Sequence, residues 1–269
     1  MSRIVSAVIA ALFAGAGAGA GVAGQRPAVA VERPAVVVSA AVSLTDVLQQ
    51  LAPVFEAGGG DRVVLNLAAS NTLARQVAAG ARVDLFISAD EARMDSVRGQ
   101  LVAGTQVGLL SNQLAVAVPD DRPVQFRSIG ELAGPSFRRI AVGDPAAVPA
   151  DVYARVYLTR AGLWTQLEPR LLPSSSVRLA LAAVENGAAD AAIVYRTDIA
   201  AARRARVAFV VPEADGPRIV YPAAIVRGGR NPEGAARLLA FLRSEAAMQV
   251  FDRAGFRRVP VEANGQRVR

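Results

Sequence analysis

From about residue 35 the chain alternates short apolar runs with helical stripes. "AVVVSAA" (35–41) is continuously apolar and reads as a strand buried on both faces. In "SLTDVLQQLAPVFEA", which follows it, Leu44, Val47, Leu48, Leu51 and Phe55 share one helical face, and Pro53 is placed to bend the helix. "GGGD" (58–61) ends that helix. "RVVLNLAA" is then a strand, "SNTLARQVAAG" a helix closed by Gly80, "VDLFISA" (83–89) a third strand and "DEARMDSVRGQ" a helix. A βαβαβ order of this kind predicts parallel strands with helices on both faces of the sheet.

The pattern changes near residue 113. "QLAVAVP" (113–119) is apolar and stops at "PDDRP", which reads as a crossing between domains. A second series follows: strand "RRIAVGDP" (138–145), helix "ADVYARVYLTRAG", a segment ending in "LLPSSS", helix "VRLALAAVENG" and strand "AADAAIVY" (188–195). "RVAFVV" (206–211) and "IVYPAAIV" (219–226) are strands, the latter returning to the first half. "PEGAARLLAFLRSEAAMQVFDRAG" is an amphipathic helix pair. The expectation is an α/β fold of two lobes, each a mostly parallel sheet flanked by helices. One lobe comprises residues 35–116 and 221–269, the other residues 117–220. No internal sequence repeat is evident.

Four helix starts carry related chemistry. Ser43 precedes "LTDVL", with Asp46 three residues on at capping-box-like spacing; Ser70 opens "NTLARQV". In the second half, Pro149 and Ala150 begin one helix, and Ser174, Ser175 and Ser176 precede Val177 at another. A serine before a helix is ordinarily only a cap. Here two such starts fall in each half, each after a strand end, where open α/β sheets bind ligands. Free N–H groups and the positive end of the helix dipole favour an anion there.

Composition narrows the chemistry. The 269 residues include no cysteine and no histidine, and every basic residue is arginine. Thiol nucleophile, imidazole base, Schiff-base amine and the usual zinc ligands are all missing, which argues against catalysis. The formal charge of +7 comes from scattered arginines with only 5% aromatic residues, so no nucleic-acid partner is expected. "AARRARV" (201–207) reads as the solvated end of a helix. At the N-terminus, Arg3 precedes an apolar run from Ile4 to Ala14 and then small residues. Residues 1–30 read as a signal peptide and leader, with cleavage after Ala20, Ala23 or Ala30. The protein is therefore expected to be exported and periplasmic; a monomer without a resident cofactor is also expected.

"AAVSLTD", "SNTLARQVAAGARVDLFISAD", "AVGDPAAVPADVYA" and "AAIVYRTD" resemble the periplasmic molybdate-binding proteins of ABC transporters, in the family's order, from about 35 to 258. The resemblance implies the two-lobed type 2 periplasmic-binding-protein fold with the ligand cleft between lobes. It also implies molybdate or tungstate as ligand, molybdenum entering only as that oxyanion, and a membrane permease as partner. Carried over position by position, the family's ligand set falls on Ser43 and Ser70, the amides of Ala150 and Val177, and the hydroxyl of Tyr195. Asn71 stands where many members have a third serine.

An all-donor pocket suits a fully deprotonated dianion, whereas hydrogen phosphate also needs an acceptor, for which Asp144 is the nearest candidate. Asp144 reads chiefly as an Asx turn before Pro145, and Asp84 and Asp90 as loop and cap residues. The alternative is the same scaffold binding sulfate, phosphate or a small carboxylate, with Arg75 or Arg178 turned into the cleft. A secreted hydrolase is disfavoured: there is no G-x-S-x-G elbow and no histidine or lysine base. The signal peptide and the lack of a helix-turn-helix segment disfavour a transcriptional effector domain.

Overall fold

The computed structural model describes residues 35–259 apart from position 123, so the expected signal peptide lies outside the described residues. The first half runs β1 (Val36–Ala41), α1 (Thr45–Ala57), β2 (Val63–Ala68), α2 (Ser70–Ala78), β3 (Leu85–Ile87), α3 (Glu91–Asp95) and β4 (Val107–Ser111). The chain then forms β5 (Leu114–Pro119), β6 (Ile140–Gly143), α4 (Pro149–Arg160), α5 (Trp164–Leu167), β7 (Leu171–Ser174), α6 (Val177–Glu185), β8 (Ala191–Tyr195), α7 (Arg196–Ala200) and β9 (Ala205–Val210). It returns through β10 (Val220–Ile225) to α8 (Pro232–Leu242) and α9 (Glu245–Arg253).

Two five-stranded sheets result, ordered β2-β1-β3-β10-β4 and β7-β6-β8-β5-β9. In the first, β1 pairs parallel with β2 and β3, while β10 lies antiparallel between β3 and β4. In the second, β6 pairs parallel with β7 and β8, while β5 lies antiparallel between β8 and β9. Each sheet thus holds one reversed strand, and it is the strand that has just crossed from the other half. The two topologies match, although the sequence shows no repeat.

One expected boundary moves. The apolar run at 114–119 belongs wholly to the second sheet, so the first crossing is at Asn112–Gln113 and not near 117. "PDDRP" is the turn that follows β5 within that lobe. Strand β4, which the apolar pattern did not single out, pairs with the returning β10. "AARRARV" divides between the turn after α7 and β9.

The cores follow from side-chain alternation. In β3, Leu85 and Ile87 join the large apolar cluster that contains Leu48, Leu51 and Phe55 of α1. Phe86 points the other way, among Leu73 and Val77 of α2 and Met94 of α3. The first sheet is therefore covered on both faces, as its unbroken apolar strands require. Asp84 is buried and accepts the N–H groups of Val37 and Asn231, tying the start of β1 to the start of α8.

Candidate functional site

Three strand ends from each sheet meet at one buried cavity. From the first sheet come Ser43 after β1, Ser70 after β2 and Ala89 after β3. From the second come Ala150 after β6, Val177 after β7 and Tyr195 at the end of β8. By topology these are equivalent positions in the two lobes. All five residues expected from the sequence to hold a ligand line this cavity, together with alanine, valine and proline neighbours. Among the described residues no charged side chain lines it. The cavity is small, with alanine, valine and proline side chains close around the polar groups.

The two serines are not helix caps. The chain leaves β1 through a 3-10 turn at Val42–Leu44, and α1 then begins with Leu44 at its N-cap, without a side-chain bond. Helix α2 begins at Ser70 itself, with Ala69 as N-cap. Both hydroxyls are therefore free for other work. Ser70 Oγ accepts the Ala89 N–H at 3.0 Å, which leaves its own proton unspent.

Ser43 is oriented through a relay at the crossing between lobes. The Gln113 N–H donates to Asn112 Oδ1 at 2.8 Å, which settles which way the amide faces. Asn112 Nδ2 then donates to Thr197 Oγ1 at 2.9 Å and to the Tyr221 hydroxyl at 3.2 Å. The Tyr221 hydroxyl is in turn hydrogen-bonded to Ser43 Oγ, 3.0 Å away; where Tyr221 is the donor, the Ser43 proton is left for the cavity.

The second lobe adds backbone donors. Ala150 and Val177 lie in the first turns of α4 and α6, where N–H groups have no intrahelical acceptor. Pro149 has no N–H to lose at the start of α4. Ser176 does cap α6, accepting the Leu179 N–H at 3.3 Å. The Tyr195 side chain is only 1% exposed; it lines the cavity, with its hydroxyl beside that of Tyr221. Burial pushes that phenol well above its ordinary range, so it stays protonated and can donate.

The charged groups nearby are occupied elsewhere. Arg178 Nε lies 2.8 Å from Asp198 Oδ1, and its Nη2 lies 2.5 Å from Asp46 Oδ2 across the cleft. Arg75 reaches Thr72 on its own helix. Neither arginine lines the cavity, which removes the feature expected of a carboxylate site. Asp144 accepts the Ala146 N–H at 2.9 Å as an Asx turn, and Asp90 caps α3 through the Arg93 N–H.

Asp198 is fully buried and pushed up to about 6, with Arg178 opposing the effect of burial. Asp151, buried behind Ala150, is pushed up to about 8 by burial, against the Gly143 N–H and with Asp198 and Asp144 adding repulsion. A side chain at Gly143 could not coexist with it, since a Cβ there would lie 2.1 Å from Asp151 Oδ2.

Sequence reasoning missed Asn112, Tyr221 and the partners of Arg178. Asn112 left a faint mark as a polar residue between two apolar strands. Tyr221, in the apolar run "IVYPAAIV", left none.

Comparison with known proteins follows the same outline. The family model for bacterial extracellular solute-binding proteins matches residues 36–257. The chain is 38% identical over 256 residues to the molybdate-binding protein ModA of Escherichia coli, covering 91% of this chain and 96% of that relative. The periplasmic molybdate-binding protein of Azotobacter vinelandii superposes with a TM-score of 0.76 at 25% identity, over 84% of this chain and 100% of the other. The sulfate-binding protein SubI of Mycobacterium tuberculosis superposes with a TM-score of 0.74 at 18% identity, over 84% and 88%, and shares the fold alone. The family match begins at the first residue of β1 and runs through every element that builds the cavity. The chain belongs to the bacterial extracellular solute-binding proteins.

Proposed function

We propose that this chain captures molybdate, and tungstate of the same shape, between its lobes outside the cytoplasm and delivers it to the membrane permease of an ABC transporter. It is a binding protein and not an enzyme. The observation that carries the reading is the convergence of neutral donors from both lobes on one small cavity, the Tyr195 hydroxyl among them. Ser43 and Ser70 bring hydroxyls, Ala150 and Val177 bring the free amides of helix first turns, and among the described residues no carboxylate lines the cavity to accept a hydrogen bond from the ligand. Such a site spreads a double charge over many fixed dipoles and selects against hydrogen phosphate. The relatives named for molybdate support the choice of ion. Donors split between two lobes also stabilise the closed form over the open one.

The protein is proposed to act as a monomer, exported by the N-terminal segment. Among the described residues no helix is long and apolar enough to cross a membrane. Thermal unfolding of the mature protein with molybdate, tungstate, sulfate and phosphate tests the reading. At a hundredfold excess over Kd, binding adds about 2.7 kcal/mol. For a domain of this size that raises Tm by roughly 5–10 °C. Shifts with molybdate and tungstate but not phosphate are expected. No shift with molybdate, or an equal shift with sulfate, overturns the choice of ligand.

A further inference from the structure

The arginine nearest the cavity does not face it. Arg178 follows Val177, which lines the cavity, and its guanidinium joins two carboxylates. One is Asp198, in the same lobe and fully buried, whose other oxygen accepts the Tyr195 N–H at 3.3 Å. The other is Asp46, in the first turn of α1, three residues beyond Ser43 in the opposite lobe. Asp198 remains with Arg178 whatever the lobes do, since both belong to the second lobe. Asp46 meets Arg178 only when the lobes are together.

We propose that Arg178 and Asp46 form a latch across the cleft that slows ligand release, with Asp198 holding the arginine ready for it. Both are positioning residues. The latch acts on closure and leaves the ion to the neutral donors. It rests on the oxyanion reading above only for the identity of the ligand.

The partial exposure of the pair, 24% for the Arg178 side chain and 59% for Asp46, sets the scale. Half-exposed pairs of this kind are worth about a two- to fivefold change in an equilibrium. The sign is more decisive than the size. If Asp46 acted only through its charge, removing a carboxylate close to a dianion site would tighten binding. Removing half of a latch weakens it.

The test compares wild type with Asp46→Asn and Asp46→Glu. Stopped-flow release of molybdate is expected to quicken about two- to fivefold in Asp46→Asn, with the association rate and the ligand-free Tm unchanged. Asp46→Glu, which keeps the charge and reaches one methylene further, is expected to retain slow release. Raising salt is expected to speed release from wild type more than from Asp46→Asn, because screening weakens the pair.

Unchanged or slower release from Asp46→Asn overturns the latch, as does a matching fall in ligand-free stability, which would mark a merely structural contact. A second readout is independent of the ligand. The chain has no cysteine, so spin labels on cysteines introduced at the exposed positions Gln50 and Thr159 report the distance across the cleft. The latch requires a smaller closed fraction in Asp46→Asn than in wild type, and equal fractions overturn it. If wild type fails to bind molybdate while the closed fraction still falls, the choice of ligand is wrong and the latch stands.

Discussion

Tyr195 illustrates how one atom divides binding from stability. Its ring is buried against Tyr221, with centroids 5.7 Å apart, so the ring packs whether or not its hydroxyl is bonded. Tyr195→Phe keeps that packing and deletes a hydroxyl at the cavity wall. The expected result is a 10- to 100-fold loss of molybdate affinity, the worth of a hydrogen bond to a charged group at about 1.5–3 kcal/mol. The ligand-free Tm is expected to stay level or rise, and calorimetric titration beside a melting curve checks both. Tyr221→Phe is a milder change: Ser43 keeps its hydroxyl but loses the partner that orients it, and affinity is expected to fall by less than in Tyr195→Phe. Asp151 belongs to stability. Its folded carboxyl, raised to about 8, prefers its proton more strongly than the unfolded chain does. That stabilisation is complete below the ordinary carboxylate range and is lost as pH rises through 8. Asp198, raised to about 6, has the same sign over a narrower window. Urea unfolding from pH 5 to 9 is therefore expected to show falling stability in wild type and a flatter profile in Asp151→Asn, each unit of pKa separation being worth about 1.4 kcal/mol.

At the scale of elements, helix starts serve two purposes that look alike in sequence. Ser43, Ser70 and Ser176 all stand where a cap is expected, yet only Ser176 caps. Ser176→Ala is expected to cost about 1 kcal/mol of stability. Ser70→Ala is expected to spare α2 and reduce molybdate affinity, and the pair measured together separates the roles. The strands and most helices were legible because buried parallel strands are unbroken apolar runs and their helices carry one-sided stripes. The positions of the five cavity residues could be placed for the same reason, since they follow strand ends. What a serine hydroxyl turns towards could not be read, because Ala89 and Tyr221 lie 19 and 178 residues away from the hydroxyls they engage. The same separation hid the Asp46–Arg178 contact, spanning 132 residues, behind two ordinary helix-surface charges.

For the whole molecule, the two lobes repeat one topology without repeating a sequence, and the cavity lies where the equivalent strand ends face each other. The repeat was invisible in the residues because burial, and not identity, defines a strand's place in a sheet. The crossing at Asn112 was misplaced because β5 is as apolar as a strand of either lobe; only pairing with β8 and β9 assigns it. The reversed strand also sets an order of events during folding. The second sheet is made from one continuous stretch, Leu114 to Val210, and is complete before β10 is reached. In the first sheet β4 pairs with β10, and at Ser111 with Arg257, both of which arrive more than a hundred residues later in the chain. Pulse-labelled hydrogen exchange is therefore expected to show amides of β6 and β8 protected before those of β4. An emerging chain thus carries one finished sheet while the other still waits for the strand that joins β3 to β4.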